Sequence, residues 1–208
     1  MDKNTEARLL GYSAFYTPME VVRQGVSMAL EKCYQTPRFF LDPSAGGGVF
    51  GKVIGELAPY THRTGIEIRE ETRMEAARHY EDFKVGSLLT HFRGKVALFD
   101  LIMSNPPFHV WEETVTAMLP LLTPDRGRLI LLGISTWGQR GRSANELFTA
   151  HPPSRQWRIP GAVSFTTGTT DSRDYSWFIW EANGNPAGSW LTENLPRLES
   201  KDRRHETC

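Results

Sequence analysis

The stretch Arg38–Pro59, RFFLDPSAGGGVFGKVIGELAP, decides the fold class. Arg38 to Leu41 predicts a short strand ending at Asp42-Pro43. A Gly-rich turn follows, and Val49 to Ala58 predicts a helix that Pro59 stops. Glycines in such a turn let the backbone approach a ligand closely and aim amide groups from a helix N-terminus. No Gly-Lys-Ser/Thr follows, so the turn does not have the spacing of a loop that grips nucleotide triphosphates. Taken alone it could equally be a tight strand-to-helix connection.

Outward from this unit the alternation continues. Pro18 to Tyr34 predicts a helix, with Thr17 as N-cap and Pro18 in the first turn. Further strands are expected at His62–Ile68, Phe83–Val85, Leu98–Met103 and Arg128–Ile134, and helices at Arg69–Tyr80, His109–Leu122 and Ser143–Ala150. Two late strands, Arg155–Ile159 and Tyr175–Glu181, are joined by a polar loop and suggest an antiparallel hairpin at one end of the sheet. Strands alternating with helices imply an α/β fold, a mostly parallel sheet with helices on both faces. Residues 1–182 are expected to form a single domain, and 183–208 a polar tail outside the core.

Composition agrees. A 208-residue chain with 39% hydrophobic and 23% charged residues suits one globular domain. No apolar run approaches the ~18 residues of a membrane span. Met1–Leu10 is charged and lacks a signal-peptide core. Cys33 and Cys208 lie far apart and imply no disulfide framework. The expected compartment is the cytoplasm, or a host cytoplasm where the gene is viral. Lys+Arg and Asp+Glu are both 24, which argues against a wholly basic nucleic-acid coat but leaves room for a local basic patch.

Two further motifs carry chemistry. Glu67, at the end of the second strand, lies about 20 residues after the glycines, where an acidic residue commonly accepts hydrogen bonds from ribose hydroxyls. Ser104-Asn105-Pro106-Pro107-Phe108 follows the fourth strand, and its two prolines stiffen a turn that places an amide and an aromatic ring at the sheet's mouth. Together with Tyr16-Thr17-Pro18, these segments make the chain resemble a class I S-adenosylmethionine-dependent methyltransferase, and within that class the adenine-N6 DNA methyltransferases of small phage type. The resemblance runs from about Tyr16 to Trp180.

It implies a Rossmann-like, seven-stranded, mostly parallel sheet with a late antiparallel strand. It implies S-adenosylmethionine as cofactor, with Tyr16, Thr17 and Pro18 at its methionine end, Asp42, Ser44, Gly46 and Gly48 around its aminoacyl part, and Glu67 on its ribose. The family often has Asp after the third strand, against the adenine; here Ser87 stands in that region. The catalytic segment is Asn105, Pro106, Pro107 and Phe108, with Asn105 also bordering the cofactor. The Asn105 side-chain oxygen and the Pro106 carbonyl would receive the target amine, and Phe108 would stack on the target base.

This chemistry suits an exocyclic amine, whose lone pair is delocalised into its ring. Two acceptors pull the nitrogen toward tetrahedral geometry, so transfer becomes positioning and electrostatics, with no metal or strong general base required. The six His show no metal-ligand spacing. Arg140 and Arg142, in a flexible Gly-flanked segment after the fifth strand, are candidates for holding nucleic-acid phosphates. Trp177, Phe178 and Trp180 are expected to divide between core and pocket, with Phe178 in the core. The expected partner is nucleic acid, DNA before RNA. No inserted target-recognition domain is evident, so a further partner could supply sequence specificity. An RNA base-amine methyltransferase, a protein glutamine methyltransferase and a non-catalytic cofactor-binding module are the alternatives.

Overall fold

The computed structural model describes residues 16–32, 36–139, 141–163, 165, 173–185 and 187–198. The first helix, α1, spans Met19–Glu31. It is followed by β1 (Phe39–Asp42), α2 (Val49–Leu57), β2 (His62–Glu67), α3 (Arg73–Ala76), β3 (Asp82–Val85) and α4 (Leu88–His91). The second half contributes β4 (Leu101–Ser104), α5 (Trp111–Met118), β5 (Arg128–Ile134), α6 (Arg142–Ala150), β6 (Arg155–Ile159), β7 (Tyr175–Glu181) and β8 (Leu191–Asn194). All eight strands form one sheet in the order β3-β2-β1-β4-β5-β7-β6-β8. Every pairing is parallel except those of β7, which runs antiparallel to both β5 and β6.

The central strands read as continuous apolar runs because both of their faces are covered. All four residues of β4 are buried, as are six of seven in β5 and in β7. Successive side chains of β7 point to opposite faces. Trp177 meets Phe50 of α2 edge-on, while its neighbour Phe178 meets Trp111 of α5 and Phe148 of α6. Trp177, Phe178 and Trp180 are therefore all core residues, as is Tyr175, which packs against the Phe108 ring.

Several local expectations are corrected. Pro18, not Thr17, is the N-cap of α1; its carbonyl accepts the first helical bond from Val22, and the Thr17 hydroxyl is engaged with Asn105 instead. The segment expected as one helix over 69–80 is a 3₁₀ turn, the single turn α3 and a second 3₁₀ turn. Its Glu, Arg and Ala favour helix locally, but Thr72 and Ala76 are the buried residues of these turns, and so little packing cannot sustain a long regular helix. The helix expected over 109–122 likewise ends in a 3₁₀ turn at Pro120, which has no N–H for a helical bond.

The sheet has eight strands rather than seven. Leu191-Thr192-Glu193-Asn194 pairs with β6 from within the segment expected as a tail. It is mostly exposed and too polar to carry a strand signal, yet Trp190 donates its indole N–H to Gln156 of β6 and Leu195 is buried. No helix among the described residues is long and apolar enough to cross a membrane.

Gly25 is where α1 sits closest to the sheet: a Cβ there would lie 2.6 Å from Trp177 Cε2 and 2.7 Å from Met103 Cε. Gly25→Ala would gain about 1 kcal/mol of helix propensity, yet overpacking costs about 1–3 kcal/mol. We expect a net loss of stability in urea unfolding; a gain would mean that α1 does not pack through this glycine.

Candidate functional site

Three adjacent parallel strands, β2, β1 and β4, end together at Glu67, Asp42 and Ser104. In an open parallel sheet the crevice beyond such carboxyl ends is where ligands bind. The glycine turn leaves β1 here. Gly46 has φ 52° and Gly48 φ 89°, in the left-handed region that glycine tolerates best, and Gly48 is the N-cap of α2. A Cβ at Gly48 would also lie 2.9 Å from the His79 ring and 3.1 Å from the Ala76 backbone. Backbone bonds from Ala45 N–H to the Ile66 carbonyl and from Gly48 N–H to the Ala45 carbonyl set the turn. Glu67 closes it: one carboxylate oxygen accepts from Gly46 N–H at 2.8 Å, the other from Arg69 N–H at 3.0 Å. Each oxygen has a lone pair left for a ligand hydroxyl.

Beneath the turn Asp42 is fully buried. Its Oδ1 accepts from the Ser104 hydroxyl at 2.7 Å and from Ser44 N–H at 3.2 Å, and its Oδ2 from the Tyr80 hydroxyl at 2.7 Å. Burial pushes the Asp42 carboxyl up to about 6, against the pull of the Ser104, Tyr80 and Ser44 donors, and the Glu67 charge adds to the rise. The Tyr80 hydroxyl in turn accepts from Gly51 N–H at 3.2 Å; burial and then the Asp42 charge push its pKa well up. Neither Tyr80 nor Ser104 was expected in this role. A signal existed in Gly51 and Gly65, inside a helix and a strand, because a Cβ on either would strike the Tyr80 ring at under 3 Å.

The loop after β4 carries the amide. Asn105 Nδ2 donates to Thr17 Oγ1 at 3.0 Å, and Asn105 Oδ1 is buried with no hydrogen-bond partner among the described residues. Ser44 Oγ, in the glycine turn, is in the same condition. A buried unpaired acceptor forfeits about 1–3 kcal/mol, so an orphan of this kind asks for an explanation, and a ligand donor is one. Tyr16 lies alongside the turn: Cβ atoms built at Gly46 and Gly47 would touch its ring at 3.7 and 3.4 Å. Pro106 is buried, and Pro107 opens the 3₁₀ turn that begins at Phe108. The Phe108 ring is bordered by Trp137 edge-on at 5.3 Å, by Tyr175 at 6.2 Å and by the Arg173 guanidinium at 5.6 Å. Trp137 comes from the turn after β5, and Arg173 and Tyr175 come together from the end of the polar loop and the start of β7.

The structure thus gathers Tyr16, Thr17, Asp42, Ser44, Gly46, Gly48, Glu67 and the Asn105–Phe108 segment at one edge. Ser87 caps α4 after β3, its hydroxyl accepting from Leu89 N–H at 3.3 Å. Arg142 begins α6, is exposed, and pairs with Glu146 at 2.7 Å. Arg140 and the loop 166–172 lie outside the described residues.

No family model matches the sequence, and no curated protein matches it. Solved structures do. A type I restriction-modification system methyltransferase subunit from Streptococcus thermophilus superposes with a TM-score of 0.71 at 13% identity, over 90% of this chain and 51% of that one. A predicted O-methyltransferase from Agrobacterium tumefaciens gives 0.58 at 11%, over 87% and 86%. The plantazolicin methyltransferase BpumL in complex with SAH gives 0.53 at 14%, over 77% and 82%. The chain has the class I methyltransferase fold. It spans about half the length of the restriction-modification subunit. The methyltransferase fold confirms the Rossmann-like, mostly parallel sheet with a late antiparallel strand that the resemblance implied.

The Asp42 network generates a pH dependence. A buried acid whose folded pKa is about 6, above its ordinary 3.8, stabilises the fold at low pH and loses that contribution as pH rises through 6. The shift corresponds to roughly 3 kcal/mol. His79, lowered by burial and then by Arg78, works in the opposite sense as pH falls through its ordinary 6.5. Comparison with Asp42→Asn cancels it. Between pH 4 and 7 the parent should lose about 2–3 kcal/mol of unfolding free energy relative to that variant; a pH-independent difference would contradict an Asp42 titrating near 6.

Proposed function

We propose that this chain is an S-adenosylmethionine-dependent methyltransferase acting on the exocyclic amine of a nucleobase, with adenine N6 in DNA as the first choice. The observation that carries the reading is Asn105 Oδ1, a buried acceptor without a partner, on a proline-stiffened loop at the carboxyl edge of the sheet. The fold supports it, as does the likeness to a restriction-modification methyltransferase subunit.

The residues present fit the cofactor. Gly46 and Gly48 bring backbone close without a Cβ, Ser44 Oγ is a second buried orphan beside them, and the Glu67 carboxylate has acceptor capacity for the ribose. Tyr16 covers the turn at the methionine end, and the Ser87 hydroxyl retains its proton as a donor for the adenine. When bound, the cofactor supplies a methyl group already activated by its sulfonium. The chain's own part is to position the amine. Asn105 Oδ1 and the Pro106 carbonyl accept its two N–H bonds, which localises the nitrogen lone pair toward the methyl. Phe108 offers a stacking face worth about 1–3 kcal/mol per base. A base on that face takes the place that the Arg173 guanidinium holds in the free protein. A duplex base reaches such a pocket only by flipping out of its stack. Arg140 and Arg142 are assigned to the phosphates, where Arg142 would exchange its exposed pair with Glu146 for a phosphate oxygen.

Methyl transfer from labelled cofactor onto DNA, RNA and protein pools, followed by nucleoside analysis, tests the reading. Label in N6-methyladenine of DNA is expected. Label confined to RNA or to protein would move the substrate, and binding of cofactor without transfer to any pool would leave a non-catalytic module. For the cofactor site, Glu67→Ala should weaken S-adenosylmethionine binding by about 1–3 kcal/mol. Calorimetry showing parent affinity in a folded variant would remove Glu67 from the site.

A further inference from the structure

We infer that Thr17 is a positioning residue that sets which end of the Asn105 amide faces the target amine. The inference rests on the proposed reaction. A primary amide has two ends of nearly equal shape and opposite hydrogen-bond character, so a half-turn of the side chain exchanges acceptor for donor with little steric change. Only one orientation is productive: the oxygen accepts from an amine, whereas the NH₂ group would confront its N–H bonds donor to donor. Something must therefore choose, and packing alone cannot.

Thr17 Oγ1 stands 3.0 Å from Asn105 Nδ2 and accepts from it, which leaves Oδ1 buried, unpartnered and facing away from Thr17. Thr17 itself is 5% exposed and held on both sides. Tyr16 before it lies against Gly46 and Gly47 of the glycine turn, and Pro18 after it is buried and caps α1. A three-residue strap thus joins the glycine turn, the first helix and the amide loop, 88 residues away in sequence. The hydroxyl is spare for this purpose because Pro18 has displaced Thr17 from the N-cap position, where it would bond helical N–H groups instead. In Thr17→Val the side chain keeps its shape, but Nδ2 would face a methyl group in place of its acceptor, so the productive orientation becomes the minor one; a 10-fold loss corresponds to its falling to about a tenth of the population. Thr17→Ser restores the acceptor.

Two measurements on the full chain test this. The first is single-turnover methyl transfer to the preferred nucleic acid at saturating cofactor, with cofactor affinity measured separately. Thr17→Val should lower the rate by about 10-fold or more, below the roughly 10²–10³-fold ceiling for losing a preorganised contact outright. Cofactor affinity should stay within about 2-fold, and Thr17→Ser should transfer within a few-fold of the parent. On an Asn105→Ala background Thr17→Val should add nothing, because it acts through that amide. The second is independent of activity: the Asn105 side-chain amide signal in nuclear magnetic resonance, identified by its absence in Asn105→Ala. Its protons should exchange slowly with solvent in the parent and in Thr17→Ser, and faster in Thr17→Val. Parent-like exchange and rate in Thr17→Val would overturn the inference. So would a loss carried wholly by cofactor affinity, a Thr17→Ser no better than Thr17→Val, or an undiminished further loss on Asn105→Ala. Changed amide exchange in a chain whose parent transfers no methyl group would leave Thr17 in place and fault the proposed reaction instead.

Discussion

The buried carboxylate of Asp42 is the constraint on which the site's geometry depends. Taking an ionised carboxylate out of water is costly unless every lone pair finds a donor. Here the donors come from three separate places: the Ser104 hydroxyl at the end of β4, the Tyr80 hydroxyl ahead of β3, and the Ser44 amide of the glycine turn. Satisfying one side chain therefore fixes the glycine turn against the loop that begins one residue after Ser104. Asn105 is that next residue. The same contacts relay to α2 through the bond from Gly51 N–H to the Tyr80 hydroxyl. The distance between a bound methyl donor and an amine acceptor would be set here, below the ligands and out of solvent.

A second tie closes the edge from above. Glu67 draws the Gly46 amide toward β2, and the Tyr16-Thr17-Pro18 strap lies across the glycine turn before entering α1. With Asp42 below and the strap above, the orphaned oxygens of Ser44 and Asn105 are buried just beyond the ends of β1 and β4. Preorganised acceptors of this kind are what a reaction needing position rather than a strong base requires.

Much of this was legible in the sequence, for physical reasons that can be named. The glycine turn and the Asn-Pro-Pro-Phe loop show because their residues are chosen for backbone behaviour, and backbone demands are local. The buried strands show because apolar runs of that length have few other uses. What did not show depends on partners distant in the chain. Tyr80 reads as the end of a helical segment until two glycines are seen to make room for its ring. Ser104 reads as a polar full stop to a strand until it meets Asp42. Strand β8 is polar and exposed, and is held by its ladder to β6 rather than by its own pattern. The N-cap of α1 was misplaced by one residue because the Thr17 hydroxyl has a tertiary partner that outbids the local one.

The central claim is that Asn105 Oδ1 accepts a hydrogen bond from the amine that receives the methyl group. Single-turnover transfer by Asn105→Ala, at saturating cofactor and with cofactor affinity measured separately, tests it most directly. The loop is stiffened by Pro106 and Pro107, so the substitution should spare the fold. A rate lowered by roughly 10²–10³-fold with cofactor affinity nearly unchanged is expected. Transfer at the parent rate would contradict the account.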